Sequence, residues 1–428
     1  MAHKACKKID LDVDNLSMEV TVEKERDVVI VSAVRTPFGR YGGSLRDIDY
    51  YDLGAIPMRE VLKRVNLDPA RGVVDEVFWG VGDTSPTKDV YTPVVARQSL
   101  LKAGLPPTTP SISLDKACVS AMSAVKLAAM AIRLGEIEAA IAGGATTFSQ
   151  EPLILRGVRF TGFRMGNITL QDPLFELGYD DFNPVSVDTD NVAYEYGIGR
   201  QEQDEWALRS HVNYGNAWKA GKFKDEMIPL PIPQPKGEPK VLDIDEQYRS
   251  DSTLERLSKL PAIYGTRAVT AGNAPGLNDG ATAILVMSRK KAKELGLEVL
   301  ATIVAQVSIA IDASRMPEGP GYAWQKVLKN AGLTIDDMAV MEINEAFAAV
   351  PLVSTKLFAG DDKAQLRKIR DRTNINGSAI AIGHPNTASG ARIIMNLMYE
   401  LRRRGGGYAL GGICGGLAQA DATIIKVG

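Results

Sequence analysis

The sequence is short of the side chains that most often carry polar chemistry, with three cysteines and three histidines in 428 residues. Cys6, Cys118 and Cys414 stand far apart, so no Cys-x-x-Cys pair exists to hold zinc or run dithiol redox chemistry. Three isolated cysteines exclude a disulfide framework and favour a reducing compartment, the cytoplasm. An excess of charge is also lacking. The formal net charge is −2, and nothing global draws the chain to nucleic acid or to an anionic membrane. No uninterrupted apolar run is long enough to cross a bilayer. Residues 1–26 hold many Lys, Asp and Glu but no apolar stretch, which argues against a signal peptide. Their acids argue against a transit peptide, and they are expected to form an N-terminal extension.

What is present is an ordinary soluble composition, 45% hydrophobic and 24% charged. The length exceeds one ordinary core and predicts two or three domains. Residues 28–34 are a continuous β-branched run, as in strands buried on both faces. Helical spacing follows over 52–64, a strand over 76–81, a helix over 118–134 stopped by Gly135, and a short strand over 139–143. The last third repeats this alternation. It has strand 301–307, a helix ending over 324–330 before Gly332, strand 339–343, helix 388–403, and strands 408–413 and 420–427. Alternating strands and helices predict an α/β fold with a mixed sheet covered by helices. Local spelling recurs too: Val61-Leu62-Lys63 with Leu67-Asp68 is matched by Val327-Leu328-Lys329 with Leu333-Thr334. Two related halves are therefore expected. Residues 148–265 break the pattern, with Pro229, Pro231, Pro233, Pro235, Pro239 and one amphipathic helix over 201–220. So long an insertion in an α/β fold is expected to be a cap or binding region. The expected divisions are a first half over 27–147 completed by about 266–295, a loop domain over 148–265, and a second half over 296–428.

Four segments carry candidate chemistry. In Asp115-Lys116-Ala117-Cys118-Val119-Ser120-Ala121-Met122 a cysteine stands where an extended segment enters a small-residue helix. The partial positive charge of a helix N-terminus favours a thiolate there; a buried small hydrophobe fits the same position. His384 lies between Gly383 and Pro385, a rigid turn before a helix, which fixes an imidazole as a general base requires. Structural turn histidines look alike. Cys414 is flanked by Gly411, Gly412, Gly415 and Gly416, which permit close backbone approach and direct N–H groups into a cavity. Glu342-Ile343-Asn344-Glu345-Ala346-Phe347 leaves a strand, where sites gather in α/β sheets. An Asn-Glu cap on the following helix is the alternative.

Together these segments resemble the thiolase family. Asn344-Glu345-Ala346-Phe347, Gly383-His384-Pro385 with Ala388-Ser389-Gly390, and Cys414-Gly415-Gly416 stand in the family's order. So do Val34-Arg35-Thr36-Pro37-Phe38-Gly39 and Thr270-Ala271-Gly272-Asn273-Ala274-Pro275-Gly276-Leu277-Asn278-Asp279-Gly280-Ala281. The resemblance implies a five-layered α-β-α-β-α fold from two duplicated halves, plus a loop domain that binds coenzyme A. It implies a ping-pong acyl transfer. In it Cys118 is the nucleophile, His384 its base, and Cys414 the acid and base at the substrate's α-carbon. One oxyanion hole would use His384 with a water held by Asn344, the other the backbone N–H groups of Cys118 and Gly416. Coenzyme A would be a cosubstrate, with no permanent cofactor and no metal. Arg164 in Gly162-Phe163-Arg164-Met165-Gly166 is the candidate cation for its phosphates. The resemblance also implies a homodimer or dimer of dimers, with a small OB-fold zinc subunit in some divergent members.

The chain departs from the family pattern around the acyl site. Val119 and Ala121 follow the nucleophile in place of smaller residues, and Pro184-Val185-Ser186 replaces a His-Met-Gly stretch. Pro275 replaces a serine, Thr387 a glycine, and Leu417-Ala418-Gln419-Ala420 thins a glycine cluster. With Val119, Ser186 and Pro275 at the substrate, these changes predict a bulky, branched, aromatic or dicarboxylic acyl group, such as that of benzoylsuccinyl-CoA. An ordinary acetoacetyl-CoA acetyltransferase and a non-catalytic acyl-CoA-binding subunit stay open. A decarboxylating ketosynthase is disfavoured, because Asn344 stands where those enzymes carry a second histidine.

Overall fold

The computed structural model describes residues 25–82, 94–175 and 181–428. The expected N-terminal extension lies outside these apart from Glu25 and Arg26, as do Cys6 and His3. The first half comprises β1 (Val28–Arg35), α1 (Tyr50–Lys63), β2 (Glu76–Val81), α2 (Val95–Ala103), β3 (Ser111–Leu114), α3 (Ser120–Leu134) and β4 (Ala139–Thr147). After a long middle segment holding α4 (Arg200–Lys219), the chain returns as β5 (Asn278–Ser288). The second half follows as β6 (Ala301–Ala310), α5 (Gly319–Ala331), β7 (Met338–Ile343), α6 (Ala349–Ala359), α7 (Ser389–Arg404), β8 (Gly407–Gly415) and β9 (Gln419–Val427).

The strand order is β7-β8-β9-β6-β1-β5-β4-β2-β3. Only Val29 with Thr302 and Ile30 with Ala301 join β1 to β6, so two sheets meet at a seam. Their internal pairing is the same. In the first, β2 runs parallel to β4, β4 antiparallel to β5, and β5 antiparallel to β1. In the second, β7 runs parallel to β8, β8 antiparallel to β9, and β9 antiparallel to β6. Even the edge has a counterpart: β3 flanks β2, and Thr373 bridges Met341 of β7 in the same parallel sense.

Three apolar clusters define the layers. Leu53 and Met58 of α1 and Leu100 of α2 cover Trp79 and Leu285 on the outer face of the first sheet. Trp324 of α5 and Val350 of α6 cover Ile343 and Ile424 on the outer face of the second. Between the inner faces, Val125 and Ala128 of α3 and Ile393 and Met398 of α7 pack with Ile30, Ala142, Ile284 and Ile425. The result is α-β-α-β-α. The middle position explains one surprise of composition. Residues Ala117–Leu134 are long and apolar enough to cross a membrane, yet α3 is the core helix sandwiched between two sheets, a place that demands apolar residues on most sides.

The largest difference from the sequence expectation is β5, an eleven-residue strand buried throughout. It opens with Asn278-Asp279-Gly280, which spells a turn. Distant segments satisfy those polar side chains instead. Asn278 Nδ2 donates to Gly39 O at 3.0 Å, and Asp279 accepts from Ser149 N–H at 2.9 Å. The middle segment is likewise clamped to the first half. Arg35 at the end of β1 is wholly buried, with Nε 2.8 Å from Glu226 and Nη1 2.6 Å from Asp245. A buried charge of this kind is tolerated only when its donors are matched. The proline-rich stretch folds as a small ribbon, Leu230–Ile232 against Lys240–Leu242.

Candidate active site

The duplicated plan brings the candidate residues together. Helices α3 and α7 occupy equivalent places, each running into a central strand of its half, and they cross in the middle layer. Their contact is so close at Gly390 that a Cβ would lie 2.5 Å from Met122 N. Their N-terminal ends therefore converge. Cys118 sits in the 3-10 turn Ala117–Val119 that leads into α3. His384 sits in the turn before Asn386–Ala388, which leads into α7. Cys118 Sγ lies 3.2 Å from His384 Nε2. The ends of β7 and β8 add the other two residues. Asn344 N–H donates to Gly412 O at 3.0 Å, placing Asn344 beside the end of β8 that carries Cys414. The next residue, Gly415, lies against the Cys118 turn, where a Cβ would come within 2.5 Å of Val119 Cγ2 and 3.0 Å of Lys116 O. Glycine is required for that approach.

The hydrogen bonds around His384 fix its tautomer. Burial pushes its pKa down to about 4, so the imidazole is neutral near pH 7. His384 Nδ1 lies 2.6 Å from Ser389 Oγ, and that hydroxyl reaches Pro385 O at 3.4 Å. With Nδ1–H donating to Ser389 and Ser389 donating to the carbonyl, Nε2 is left as the acceptor facing Cys118. The turn is held by Asn278, whose Oδ1 accepts from His384 N–H at 2.8 Å. Cys118 thus has a neutral base in contact and lies at a helix N-terminus, the two conditions that activate a thiol.

Cys414 is in the opposite condition. It is fully buried, and burial pushes its thiol up to about 12. It rests as a neutral S–H, suited to donate a proton rather than to attack. Asn344 Nδ2 stands 3.4 Å from His384 Nε2, so once Nε2 has taken up a proton the amide and the imidazole can both donate to one oxygen. Arg392 sets the amide's orientation, with Nη2 donating to Asn344 Oδ1 at 3.3 Å and to Ser378 Oγ at 3.2 Å. The guanidinium is wholly buried and paired with Glu342. Neither Asn344 nor Glu345 caps α6, whose N-cap residue is Ala348. The buried Glu345 carboxylate instead accepts from Trp206 Nε1 at 2.8 Å, Ser210 Oγ at 2.6 Å, Asn374 Nδ2 at 2.9 Å and Ile380 N–H at 3.2 Å. It ties α4 of the middle segment to the backbone under His384. Gly416 is half-buried and opens a turn in which Leu417 (φ 52°) and Ala418 (φ 58°) adopt the left-handed region, a strained conformation for residues with a Cβ.

The remaining expected site residues are scattered. Val119 is fully buried and packs into the middle-layer core against Gly415. Thr387, another departure, is also buried, with its hydroxyl donating to Ala145 O at 2.5 Å. Ser186 is buried in the first turn of the helix Val185–Glu195, and its Oγ has no hydrogen-bond partner among the described residues. Pro275 is half-buried, two residues before Leu277, which bridges His384. Arg164 is exposed on the middle segment. Sequence reading assigned no role to Ser389, Arg392 or Asn278. Ser389 and Arg392 look like ordinary helix residues until the turn geometry is known.

Family models for the thiolase N-terminal domain and the thiolase C-terminal domain match residues 28–290 and 297–427. The chain belongs to the thiolase family. It is an acyltransferase, and the α-β-α-β-α architecture is the family's own. This thiolase is 43% identical over 404 residues to an acetyl-CoA acetyltransferase of Chromobacterium violaceum, covering 93% of this chain and 99% of the relative. It is 43% identical to an acetyl-CoA acetyltransferase of Cupriavidus necator over 403 residues, with 93% and 99% coverage. Among solved structures, human mitochondrial 3-ketoacyl-CoA thiolase in complex with CoA superposes with a TM-score of 0.86 at 36% identity, covering 95% of this thiolase and 99% of that chain.

Proposed function

We propose that this thiolase transfers an acetyl group between coenzyme A thioesters through an acyl-Cys118 intermediate, cleaving acetoacetyl-CoA with free CoA or forming it from two acetyl-CoA. The observation that carries the roles is the contrast between the thiols, Cys118 in contact with a neutral imidazole and Cys414 buried with its proton held. His384 Nε2 takes the Cys118 proton, and the thiolate attacks the 3-keto carbon. The oxyanion is stabilised between Asn344 and His384 or at the backbone N–H groups of Cys118 and Gly416. The bond between C2 and C3 then breaks, its electron pair goes to C2, and the Cys414 thiol protonates that carbon to release acetyl-CoA. A second CoA enters as its thiolate, its proton lost to solvent, and its sulfur attacks the acyl-Cys118 carbonyl, while the Cys414 thiolate regains its proton from solvent. Cys118 leaves as thiolate and recovers its proton from His384. The sum is 3-oxoacyl-CoA plus CoA giving two acyl-CoA products.

The acetyl reading replaces the bulkier acyl group expected from the departures. Val119 and Thr387 are consumed by internal packing, so neither carries pocket shape directly. The acetyl-CoA acetyltransferases above align over nearly the whole chain. Thiolysis across a panel of 3-oxoacyl-CoA substrates tests it. Acetoacetyl-CoA is expected to have the highest kcat/KM; a bulky, aromatic or dicarboxylic substrate at least about tenfold better would overturn the reading.

The CoA nucleotide is assigned to the loop domain over 148–265, with Arg164 at its phosphates. Arg164 is exposed and forms no hydrogen bond or ion pair among the described residues, so it is free to take one. Arg164→Ala is expected to raise KM for CoA about fivefold with kcat nearly unchanged, the signature of lost uniform binding. An unchanged KM would place the phosphates elsewhere. A cytoplasmic homodimer completes the reading. It is supported by β3, an end strand with no partner on its outer edge among the described residues. Light scattering of the purified protein checks the dimer, and a monomer would refute it.

A further inference from the structure

We propose that Lys116, Ser123 and Asp421 form a positioning device that sets the Cys118 turn against the strand carrying Cys414, and so governs proton transfer at the α-carbon rather than acylation. The inference rests on the roles just assigned to the two thiols. Lys116 Nζ lies 3.0 Å from Asp421 Oδ1 and 3.0 Å from Ser123 Oγ, and Ser123 Oγ donates to Asp421 Oδ2 at 2.5 Å. Asp421 is on β9, in register with Ile413, while its neighbour Ala420 is in register with Cys414. The ion pair therefore runs from two residues before one thiol to the strand paired with the other.

A carboxylate at this place is costly. Asp421 is 1% exposed and shares a face of β9 with Thr423 and Ile425, toward the apolar middle layer. An apolar side chain would pack α3 against β9 without a charge to desolvate. What the charge adds is direction. The turn needs it, because Ala117 holds φ at 49°, in the left-handed region. Three other side-chain hydrogen bonds hold the turn, Lys116 N–H on Ser120 Oγ at 2.8 Å, Ser120 Oγ on Ala117 O at 2.7 Å and Ala117 N–H on Asp115 Oδ1 at 2.7 Å. All are local to it. The Lys116–Asp421 pair is a side-chain tether from this turn to the second sheet. Its loss leaves Cys118 on its turn beside His384 and lets that unit drift relative to Cys414. Transfer from a thiol to carbon tolerates such drift poorly, since a misplacement of about 1 Å can cost on the order of 100-fold.

Two rates separate the outcomes. Exchange of labelled CoA into acetyl-CoA needs acylation of Cys118 only. Exchange of the acetyl α-protons with deuterated water, or condensation to acetoacetyl-CoA, needs Cys414. In Asp421→Asn and Lys116→Met the α-carbon rate is expected to fall about ten- to hundredfold, with CoA exchange changed by less than about threefold and KM for acetyl-CoA unaltered. Lys116→Arg is expected to restore the α-carbon rate to within about threefold of the wild type. The double variant Lys116→Met/Asp421→Leu guards against misfolding, because it removes both charges together and leaves an apolar contact. It is expected to melt near the wild type and to show the same split. Equal losses in both rates, or no loss in either, in a variant that melts like the wild type would overturn the device. A wild-type enzyme that forms no acyl-Cys118 would overturn the reaction scheme itself, an outcome read before any variant is made.

Discussion

Cys118→Ala is expected to lower kcat for thiolysis by on the order of 10⁴–10⁶, the largest loss of any single substitution, because no other group can hold the acyl chain between the two half-reactions. Binding and the oxyanion donors would survive, since Cys118 contributes its backbone N–H in either case. The variant should melt near the wild type, as a half-buried thiol is replaced by a smaller apolar group. Mass spectrometry of the wild type with acetyl-CoA, after removal of free CoA, should place an acetyl mass on the peptide containing Cys118. Label confined to the Cys414 peptide would reverse the roles. The 3.2 Å contact with His384 and the deep burial of Cys414 both argue for the first result.

His384→Ala comes next, with an expected loss of about 10²–10⁴ in kcat/KM, the usual worth of a positioned general base. Its pH behaviour makes the prediction sharper. Burial lowers the imidazole pKa from 6.5 to about 4, so the wild type should keep its base unprotonated well below neutral pH. The acid limb of kcat/KM should therefore lie near pH 4 to 5 rather than near 6.5. The same shift bears on stability. An unfolded chain binds the proton near 6.5 and the folded one only near 4, so this residue's contribution is complete above 6.5 and is lost as pH falls through that window. An acid limb centred near 6.5 in the wild type, or His384→Ala retaining more than about a tenth of the activity, would remove His384 from the role of base.

Much of this protein was legible in the sequence. The alternation of buried β-branched runs with amphipathic segments determined an α/β chain, because period and burial are local properties. Residues 28–34, 76–81 and 201–220 were found nearly at their final limits for that reason. Cys118, His384 and Cys414 stood out because glycine, proline and small-residue neighbours mark turns that hold a side chain in place, and Asn344 because its segment leaves a strand. Tertiary structure alone decided the rest. It made Asn278-Asp279-Gly280 the start of a buried strand, since their partners Gly39 and Ser149 lie far away in sequence. It turned Val119 and Thr387 into packing residues, because which way a side chain points depends on what the turn rests against. It recruited Ser389 and Arg392 to hold His384 and Asn344, roles that exist only once α7 crosses α3. It also left Cys118 beside a neutral imidazole and buried Cys414 with its proton. That contrast arises from burial and from contacts between the two halves, which no local pattern of residues encodes.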